Sequence, residues 1–196
     1  MNTRICGLDE AGRGALAGPL VAAGVILKIP GQEISSRSGV PLRDSKTLSK
    51  KQRDALYATI LDSGSTVLTM QISSQQINLK GIGWANKEIF RLLIQQLTAS
   101  EYIVDGNLKI GPIPGVTGII RSVIDADASQ EAVICAGIVA KVTRDSIMQQ
   151  LHEHYPKFGW DHNAGYGTKL HVQALQTHGK TNEHRTLFVT TALNKK

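Results

Sequence analysis

The stretch GLDEAGRGALAG, residues 7–18, places two adjacent carboxylates and a glycine-rich run between two apolar segments. The flanking segments, 4–8 and 20–29, are rich in aliphatic residues and are predicted to be strands joined by a glycine-rich turn. A carboxylate pair at the end of a buried strand is costly unless a cation offsets its charge. The chain must therefore fold so that Asp9 and Glu10 meet a cation or solvent.

The remaining pattern alternates predicted helices and strands, which indicates an α/β domain. Ser49 and Gln52 form a capping-box pattern ahead of one helix, and Thr168 can cap the last helix, with Gly179 just beyond its end. Segment 30–43 is predicted to be a loop. The other predicted elements are a helix at 50–61, a strand at 66–72, a helix over 85–97, strands at 102–104 and 116–124, a helix at 132–151 and a last helix ending at 177.

Composition limits the class of protein. The 196 residues, 41% hydrophobic and 19% charged, suit one compact domain with a sizeable core. A net charge of +6, with basic ends around an acidic middle third, would attract polyanions and makes nucleic acid a reasonable partner. Cys6 and Cys135 sit in apolar contexts, which indicates reduced, buried thiols. The most apolar stretch, Gly14–Leu27, is too short to span a bilayer, so a cytoplasmic protein without membrane association is expected.

Acidic residues follow several predicted strands. Asp9, Glu10, Asp105 and one of the pair Asp125 and Asp127 stand at or just after strand ends, which can converge at one edge of a mixed sheet. Hard carboxylate ligands select Mg²⁺ or Mn²⁺, and such sites usually handle phosphate. The alternative is that these aspartates only form turns.

The glycines at 12, 14 and 18 also invite a dinucleotide-binding interpretation. That fingerprint requires a helix after the glycines, whereas Pro19 and a β-rich run follow here. Glycines at these positions better suit close approach of the backbone to a sugar-phosphate chain.

Five blocks, in order and across almost the whole chain, resemble the bacterial ribonuclease HII family: GLDEAGRGALAGPLVAA, DSKTLSKKQR, IVDG, AGIVAKVTRD and GYGTKLH. The resemblance implies a ribonuclease H-like fold, a five-stranded mixed sheet flanked by helices with a helical C-terminal region. It also implies a catalytic domain over 1–155 and a region over 156–196 that grips the substrate duplex.

The resemblance assigns Asp9, Glu10 and Asp105 as catalytic metal ligands. In the family the fourth acid lies eighteen residues before the Arg-Asp aspartate, here Asp145, which selects Asp127 over Asp125. The implied mechanism is hydrolysis with two Mg²⁺ or Mn²⁺ ions, one activating water and one stabilising the leaving 3′-oxygen.

Substrate contacts follow from the same resemblance. The backbone of residues 12–14 would contact the ribose 2′-hydroxyl, an aromatic ring would pack on the next sugar, and the Asp-Ser-Lys block would lie near the substrate backbone, its lysine contacting phosphate. The implied residues are Gly12, Arg13, Gly14, Ser45, Lys46 and Tyr166. At least half of the neighbouring bases are expected to form a solvated helix face; these are Arg43, Lys50, Lys51 and Arg53.

Some residues depart from the family pattern or invite another interpretation. Cys135-Ala136-Gly137 replaces the usual Ala-Ala-Ser, and Val189 replaces a proline; neither change is expected to touch a metal ligand. All six histidines lie in the last quarter, fit no standard zinc spacing and are expected at the surface or near phosphate. Trp84 and Trp160 are expected to be packing residues.

The predicted function is an endoribonuclease that hydrolyses the RNA strand of RNA/DNA hybrids and cuts 5′ of single ribonucleotides in duplex DNA, leaving 3′-hydroxyl and 5′-phosphate ends. A metal-dependent DNA nuclease or resolvase on the same fold is one alternative. A non-catalytic nucleic-acid-binding module is the other, although it leaves the acids unexplained. The ending LNKK shows no clamp-binding peptide, and a monomer is expected.

Overall fold

The computed structural model describes residues 4–194; Lys195 and Lys196 of the LNKK ending lie outside that range. Its strands are β1 (Ile5–Ala11), β2 (Leu20–Ile26), β3 (Thr66–Ile72), β4 (Glu101–Asp105) and β5 (Ile119–Val123). Its helices are α1 (Gly31–Ser38), α2 (Lys50–Asp62), α3 (Ser74–Lys80), α4 (Ile82–Gln96), α5 (Glu131–His154), α6 (Trp160–Asn163), α7 (Lys169–His178) and α8 (Thr186–Leu193).

The five strands form one mixed sheet in the order β3-β2-β1-β4-β5, which confirms the predicted fold class. β1 lies at the centre, antiparallel to β2 and parallel to β4. The sequence pattern ended β1 at residue 8, and this prediction was wrong because pairing with β2 continues to Ala11 opposite Val21. Asp9 and Glu10 therefore lie within the strand and are held by its ladder.

Helices cover both faces of the sheet. α5 packs across β1 and β2, and α1 and α2 extend that layer; Leu56, Ile60 and Ile138 are among its buried residues. α4 and the residues before it cover the opposite face, where Phe90 and Leu93 are buried. Because β2 is buried along its whole length, it reads as a continuous apolar run.

One predicted loop is a helix. Segment 30–43 contains α1, which begins after Pro30 and ends at Gly39 in the left-handed conformation. Its one buried side chain, Ile34, gives too little apolar periodicity to reveal a helix. By contrast, α2 begins at the predicted capping box, in which Ser49 and Gln52 cap each other's backbone.

Three short helices, α6, α7 and α8, form the C-terminal region. Thr168 caps α7 through its side chain and Gly179 follows its last residue, as predicted. The prediction that this is the last helix was wrong, because α8 follows it and begins without a side-chain cap that the sequence could reveal. Leu16, Met148 and the buried Trp160 belong to the apolar cluster that joins this region to the rest of the chain. Among residues 4–194, no helix is both long and apolar enough to cross a membrane.

The histidines do not all lie at the surface. His171 and His184 are buried, which corrects the expectation for these two. The His171 Nδ1–H donates to the Tyr166 carbonyl over 2.9 Å, so its Nε2 accepts from Trp160 Nε1 and from His184 Nε2, each at 3.1 Å. His184 Nδ1 accepts the Thr181 N–H. Burial lowers the pKa of His184 to about 4 and so favours these neutral tautomers.

Candidate active site

Two neighbouring parallel strands bring the first acids together. Leu8 of β1 pairs with Val104 of β4, and the next residue on each strand is an aspartate, Asp9 and Asp105. Asp127 joins them from a short 3₁₀ turn, where its backbone N–H donates to Asp105 Oδ1 over 3.3 Å. One carboxylate oxygen from each of the three lies within 4.8 Å of the others.

The cluster is poorly compensated electrostatically. Burial, followed by repulsion from Glu10 and Asp105, raises the pKa of Asp9 to about 8. Burial also raises the pKa of Glu10 to about 7, with Arg13 opposing it and Asp105 adding to it. The cluster within 4.8 Å contains the three aspartates and not Glu10, although Asp105 and Asp127 both raise the pKa of Glu10. A group of buried carboxylates with raised pKa values is stabilised by a bound cation.

The two aspartates that the sequence pattern left open have different environments. Asp125 is exposed and has left-handed backbone angles, whereas Asp127 is buried and faces the cluster. The predicted strand 116–124 ends at Val123, so strand alternation does not relate the two residues. The geometry therefore favours Asp127, the residue that the family spacing selected, as the fourth acid.

Lys46 is a cation in contact with this cluster. Its Nζ donates to Asp127 Oδ2 over 2.9 Å although its side chain is 75% exposed, and that hydrogen bond raises the pKa of Lys46. Asp44 accepts from the Lys46 backbone N–H and shapes the turn, while Ser45 is buried in it. A flexible, exposed lysine can leave this contact for a phosphate oxygen.

Arg53 fixes the turn that carries Lys46. Its Nη1 donates to the Ser45 carbonyl over 3.1 Å and to the Leu48 carbonyl, and its side chain is only 14% exposed. Arg53 is therefore structural. The other three bases of this group, Arg43, Lys50 and Lys51, are exposed, as expected.

The glycine-rich loop after β1 is held from beneath by two buried arginines. Arg185 donates to the carbonyls of Gly12, Arg13 and Gly18, and Arg144 donates to those of Ala17 and Pro19. These carbonyls are therefore bound on the inner side of the loop. Arg13 and Gly14 are exposed to solvent.

Gly12 is required by this packing. Its φ is +92°, and a Cβ there would lie 1.9 Å from Arg144 Nε. Its missing side chain therefore makes room for the arginine as well as giving the loop its turn. A Cβ at Gly14 would meet nothing within 4 Å, so close approach by a ligand is open at that residue.

Tyr166 is half-buried beside the same loop. The carbonyl of the preceding Gly165 accepts the backbone N–H groups of Leu16 and Ala17. Arg144 and Lys141 lie 5.2 Å and 5.7 Å from the centre of the ring. The ring also lines an open groove of about 910 Å³, whose three bases each pair with an aspartate of the same lining: Lys50 with Asp54, and Lys141 and Arg53 with Asp145. Lysine, arginine and aspartate balance on this lining, so the groove is not a basic patch.

One family departure does touch a metal-ligand candidate, which corrects the expectation from sequence. Gly137 lies on the face of α5 against β1, and a Cβ there would be 2.4 Å from Asp9 Oδ2. A serine at this helix position would require either the carboxylate or the helix to shift.

Sequence patterns did not indicate the contacts that Arg144, Arg185 and Gly137 make. Arg144 lies on the buried stripe of α5 with Ala140 and Met148, each four residues apart, so helical spacing could have indicated its burial. No comparable local signal marks Arg185, whose carbonyl partners are 167 to 173 residues away.

Known proteins resemble this chain over most of its length. The sequence model described as Ribonuclease HII matches residues 6–191. The ribonuclease HII of Orientia tsutsugamushi strain Boryong is 40% identical over 187 residues, which cover 94% of this chain and 85% of that protein.

Solved structures support the same fold. The structure of the PCNA:RNase HII complex from Archaeoglobus fulgidus matches with a TM-score of 0.77 and 26% identity, covering 93% of each chain. Bst-RNase HIII in complex with Mn²⁺ matches with a TM-score of 0.73 at 16% identity, covering 97% of this chain and 69% of that one. At this identity the match supports the fold alone. This chain belongs to the ribonuclease HII family, whose members are metal-dependent endoribonucleases that act on RNA/DNA hybrids.

Proposed function

We propose that this protein cuts 5′ of single ribonucleotides embedded in duplex DNA, in addition to hydrolysing the RNA strand of hybrids. The observation that carries the proposal is the meeting of three elements: a buried carboxylate cluster, the exposed loop at Gly14 and the ring of Tyr166. The first suits phosphodiester hydrolysis, and the other two suit recognition of a sugar on each side of the cut.

The donor set fits divalent cations. The three aspartate oxygens within 4.8 Å of one another are hard ligands, and the raised pKa values of Asp9 and Asp105 reflect negative charge that burial leaves unneutralised. We propose Asp9, Glu10, Asp105 and Asp127 as the residues that hold Mg²⁺ or Mn²⁺. Two bound ions would neutralise the carboxylates and activate water as Lewis acids. Hydrolysis of the phosphodiester would then leave 3′-hydroxyl and 5′-phosphate ends.

The residues around the cluster bind and orient the substrate. Lys46, held near Asp127 by a flexible stem, is proposed to move to a phosphate oxygen of the cut strand. Ser45 is buried in the turn that carries it, and we propose that this turn faces the substrate backbone. Pre-arranged contacts of this kind place the scissile bond without reorganisation at the moment of reaction.

Recognition of the sugar is assigned to the two elements flanking the cut. The backbone of Gly12, Arg13 and Gly14 would read the 2′-hydroxyl, which distinguishes RNA from DNA. The Tyr166 ring would pack against the following deoxyribose, where an extra hydroxyl fits badly. Together they would favour a junction from RNA to DNA.

The proposal extends to the organisation of the chain. Residues 1–155 are assigned as the catalytic domain, and residues 156–196 as the region that grips the duplex. The groove beside Tyr166 supports this division, because α5 and α6 both line it. A cytoplasmic monomer is proposed, in keeping with the two buried, free thiols Cys6 and Cys135.

The decisive experiment uses four labelled duplexes: all-DNA, one with a single ribonucleotide, a continuous RNA/DNA hybrid, and one with a single 2′-O-methyl ribonucleotide. Each is incubated with Mg²⁺, Mn²⁺ or EDTA. We expect cutting on the 5′ side of the single ribonucleotide and within the hybrid in the presence of either metal. EDTA, the all-DNA duplex and the 2′-O-methyl duplex should give no cutting.

Each rival function predicts another outcome. Equal cutting of the all-DNA duplex would indicate a DNA nuclease or resolvase. Binding of duplexes without cutting in either metal would indicate a nucleic-acid-binding module. Cutting of hybrids with the single-ribonucleotide duplex left intact would contradict the proposed substrate while leaving the family activity in place.

A further inference from the structure

Arg144 is a buried cation bound to carbonyl oxygens instead of an acid. Its Nε donates to the Pro19 carbonyl over 3.0 Å, and its Nη2 to the Ala17 carbonyl over 3.0 Å. Its Nη1 donates to the Ala164 carbonyl over 2.8 Å. Within residues 4–194, no ion pair joins this guanidinium to a carboxylate. Its planar fork therefore acts as a connector with fixed geometry.

The bonds of Arg144 end on two separate elements. Ala17 and Pro19 close the glycine-rich loop, whereas Ala164 begins the turn that carries Tyr166. Ala164 has a φ of +47°, an unfavourable angle for alanine, and the hydrogen bond from Arg144 helps to hold it there. The same guanidinium lies 5.2 Å from the centre of the Tyr166 ring.

We infer that Arg144 is a positioning residue that fixes the distance between the glycine-rich loop and the Tyr166 ring, and thereby sets the preference for an embedded ribonucleotide over a continuous hybrid. The inference rests on the proposed function, in which the loop reads the ribose and the ring reads the next sugar. A substrate that is RNA on one side and DNA on the other needs both contacts at a fixed spacing. A continuous hybrid does not present the deoxyribose that the ring would contact, and it depends less on that spacing.

Arg185 provides a matched comparison within the same chain. It is equally buried, and its four hydrogen bonds also end on carbonyls, those of Gly12, Arg13 and Gly18. All of these partners belong to the glycine-rich loop. Arg185 therefore supports one recognition element, whereas Arg144 joins two.

The test compares Arg144→Lys with Arg185→Lys, both of which keep the charge and lose the fork. The readout is the ratio of kcat/KM on a single-ribonucleotide duplex to kcat/KM on a continuous hybrid. We expect Arg144→Lys to lower this ratio by about fivefold and Arg185→Lys to change it by less than about twofold, in the range of coupling between contacting residues. An unchanged ratio in Arg144→Lys, or the same fall in both variants, would overturn the inference.

A double-mutant cycle identifies the route of the effect. If Arg144 acts through the ring, Arg144→Lys should lower the ratio no further in a Tyr166→Ala background. Independent, multiplicative effects of the two substitutions would overturn the inference even if each single variant lowered the ratio.

A second variant decides the matter if Arg144→Lys does not fold. Asn163 braces the same turn from its other side, accepting the Gly165 N–H over 2.8 Å and donating to the Phe158 carbonyl over 2.7 Å. Asn163→Ala leaves the buried charges in place and should lower the ratio in the same direction; a normal ratio would overturn the inference. A parent protein that fails to cut the single-ribonucleotide duplex contradicts the proposed function itself, which separates the two failures.

Discussion

An acidic cluster lies before residue 11, and two buried arginines hold the loop after it. The arginines have hydrogen-bond partners that satisfy them, whereas the acids largely repel one another. Before residue 11, Asp9 lies together with Asp105 and Asp127, and Glu10 is the next residue of the strand. Burial and mutual repulsion raise the pKa values of Asp9, Glu10 and Asp105. After residue 11, the loop is held by two buried guanidiniums, Arg144 donating three hydrogen bonds and Arg185 four, all to backbone carbonyls.

This difference distinguishes the acidic cluster, which is a candidate site, from the two arginines, which are the scaffold that holds the glycine-rich loop. Each arginine is satisfied by neutral acceptors, so the loop is complete without a ligand even though burial lowers the pKa of Arg185 to about 9. Lys46 contacts one of the carboxylates and Arg13 lowers the pKa of Glu10, but the carboxylates otherwise repel each other. Neutralising an acid should therefore remove function and spare the fold, whereas neutralising a buried arginine should damage the fold.

The largest effect is expected at Asp105. Asp105→Asn keeps the acceptor for the Asp127 N–H but removes a charge that would hold metal. We expect the cleavage rate to fall by at least about a thousandfold, roughly 4 kcal/mol of barrier, with duplex binding nearly intact. Rate assays and a fluorescence-anisotropy titration check this; turnover within about tenfold of the parent would remove Asp105 from the proposed ligands.

The next prediction uses the two neighbouring acids of the 3₁₀ turn. Asp127→Asn should lower the cleavage rate by about a hundredfold, because Asp127 is buried in the cluster, while the exposed Asp125→Asn should stay within about twofold. The same rate assay measures both variants. A larger loss for Asp125→Asn would mean that the family spacing was applied in the wrong register.

On the scaffold side, Arg185→Met should destabilise the fold. The substitution leaves three loop carbonyls without their donor, and we expect a loss of about 3 kcal/mol and a fall in Tm of about 6–12 °C. The control is Arg121→Met on β5, whose partner is Glu101 and whose side chain is 61% exposed; its cost should be below about 0.5 kcal/mol. Similar melting curves for both variants would refute the assigned role of the buried arginine.

Tyr166 stands where the two regions meet, and its effect should be smaller and selective. Tyr166→Ala should lower cutting at an embedded ribonucleotide about tenfold and cutting within a continuous hybrid about twofold, with Tm little changed. Tyr166→Phe is the matched control, since the ring and not the hydroxyl makes the proposed contact. Equal losses on both substrates, or a large fall in Tm, would show that the ring anchors the C-terminal helices instead.

The acidic cluster could be predicted from sequence because its acids stand at or just after strands that short apolar runs reveal. Asp105 ends a short apolar strand, and an acid after a parallel neighbour reaches the same edge of the sheet. The choice of Asp127 needed the family spacing, since the chain leaves the strand before it and the alternation argument fails.

The scaffold could not be predicted in the same way because its contacts join distant residues. Arg144 meets Pro19 across 125 positions, and nothing near either residue indicates the bond. The contact of Gly137 with Asp9 depends on how closely α5 approaches β1, where a Cβ on Gly7 would clash with the helix backbone. Helix α1 was missed for the opposite reason, since its single buried side chain leaves almost no pattern.

Whether the carboxylates form a metal site is tested most directly by thermal unfolding at pH 8. The parent, Asp105→Asn and Asp125→Asn are each melted with EDTA and with Mn²⁺ at ten times its Kd. We expect Mn²⁺ to stabilise the parent and Asp125→Asn by about 1.4 kcal/mol, a rise in Tm of about 3–6 °C. In EDTA, Asp105→Asn should melt at or above the Tm of the parent because repulsion is relieved, and Mn²⁺ should shift it by less than about 1 °C. An equal Mn²⁺ shift in all three proteins, or a lower Tm for Asp105→Asn in EDTA, would contradict the claim that the buried carboxylates are an uncompensated metal site.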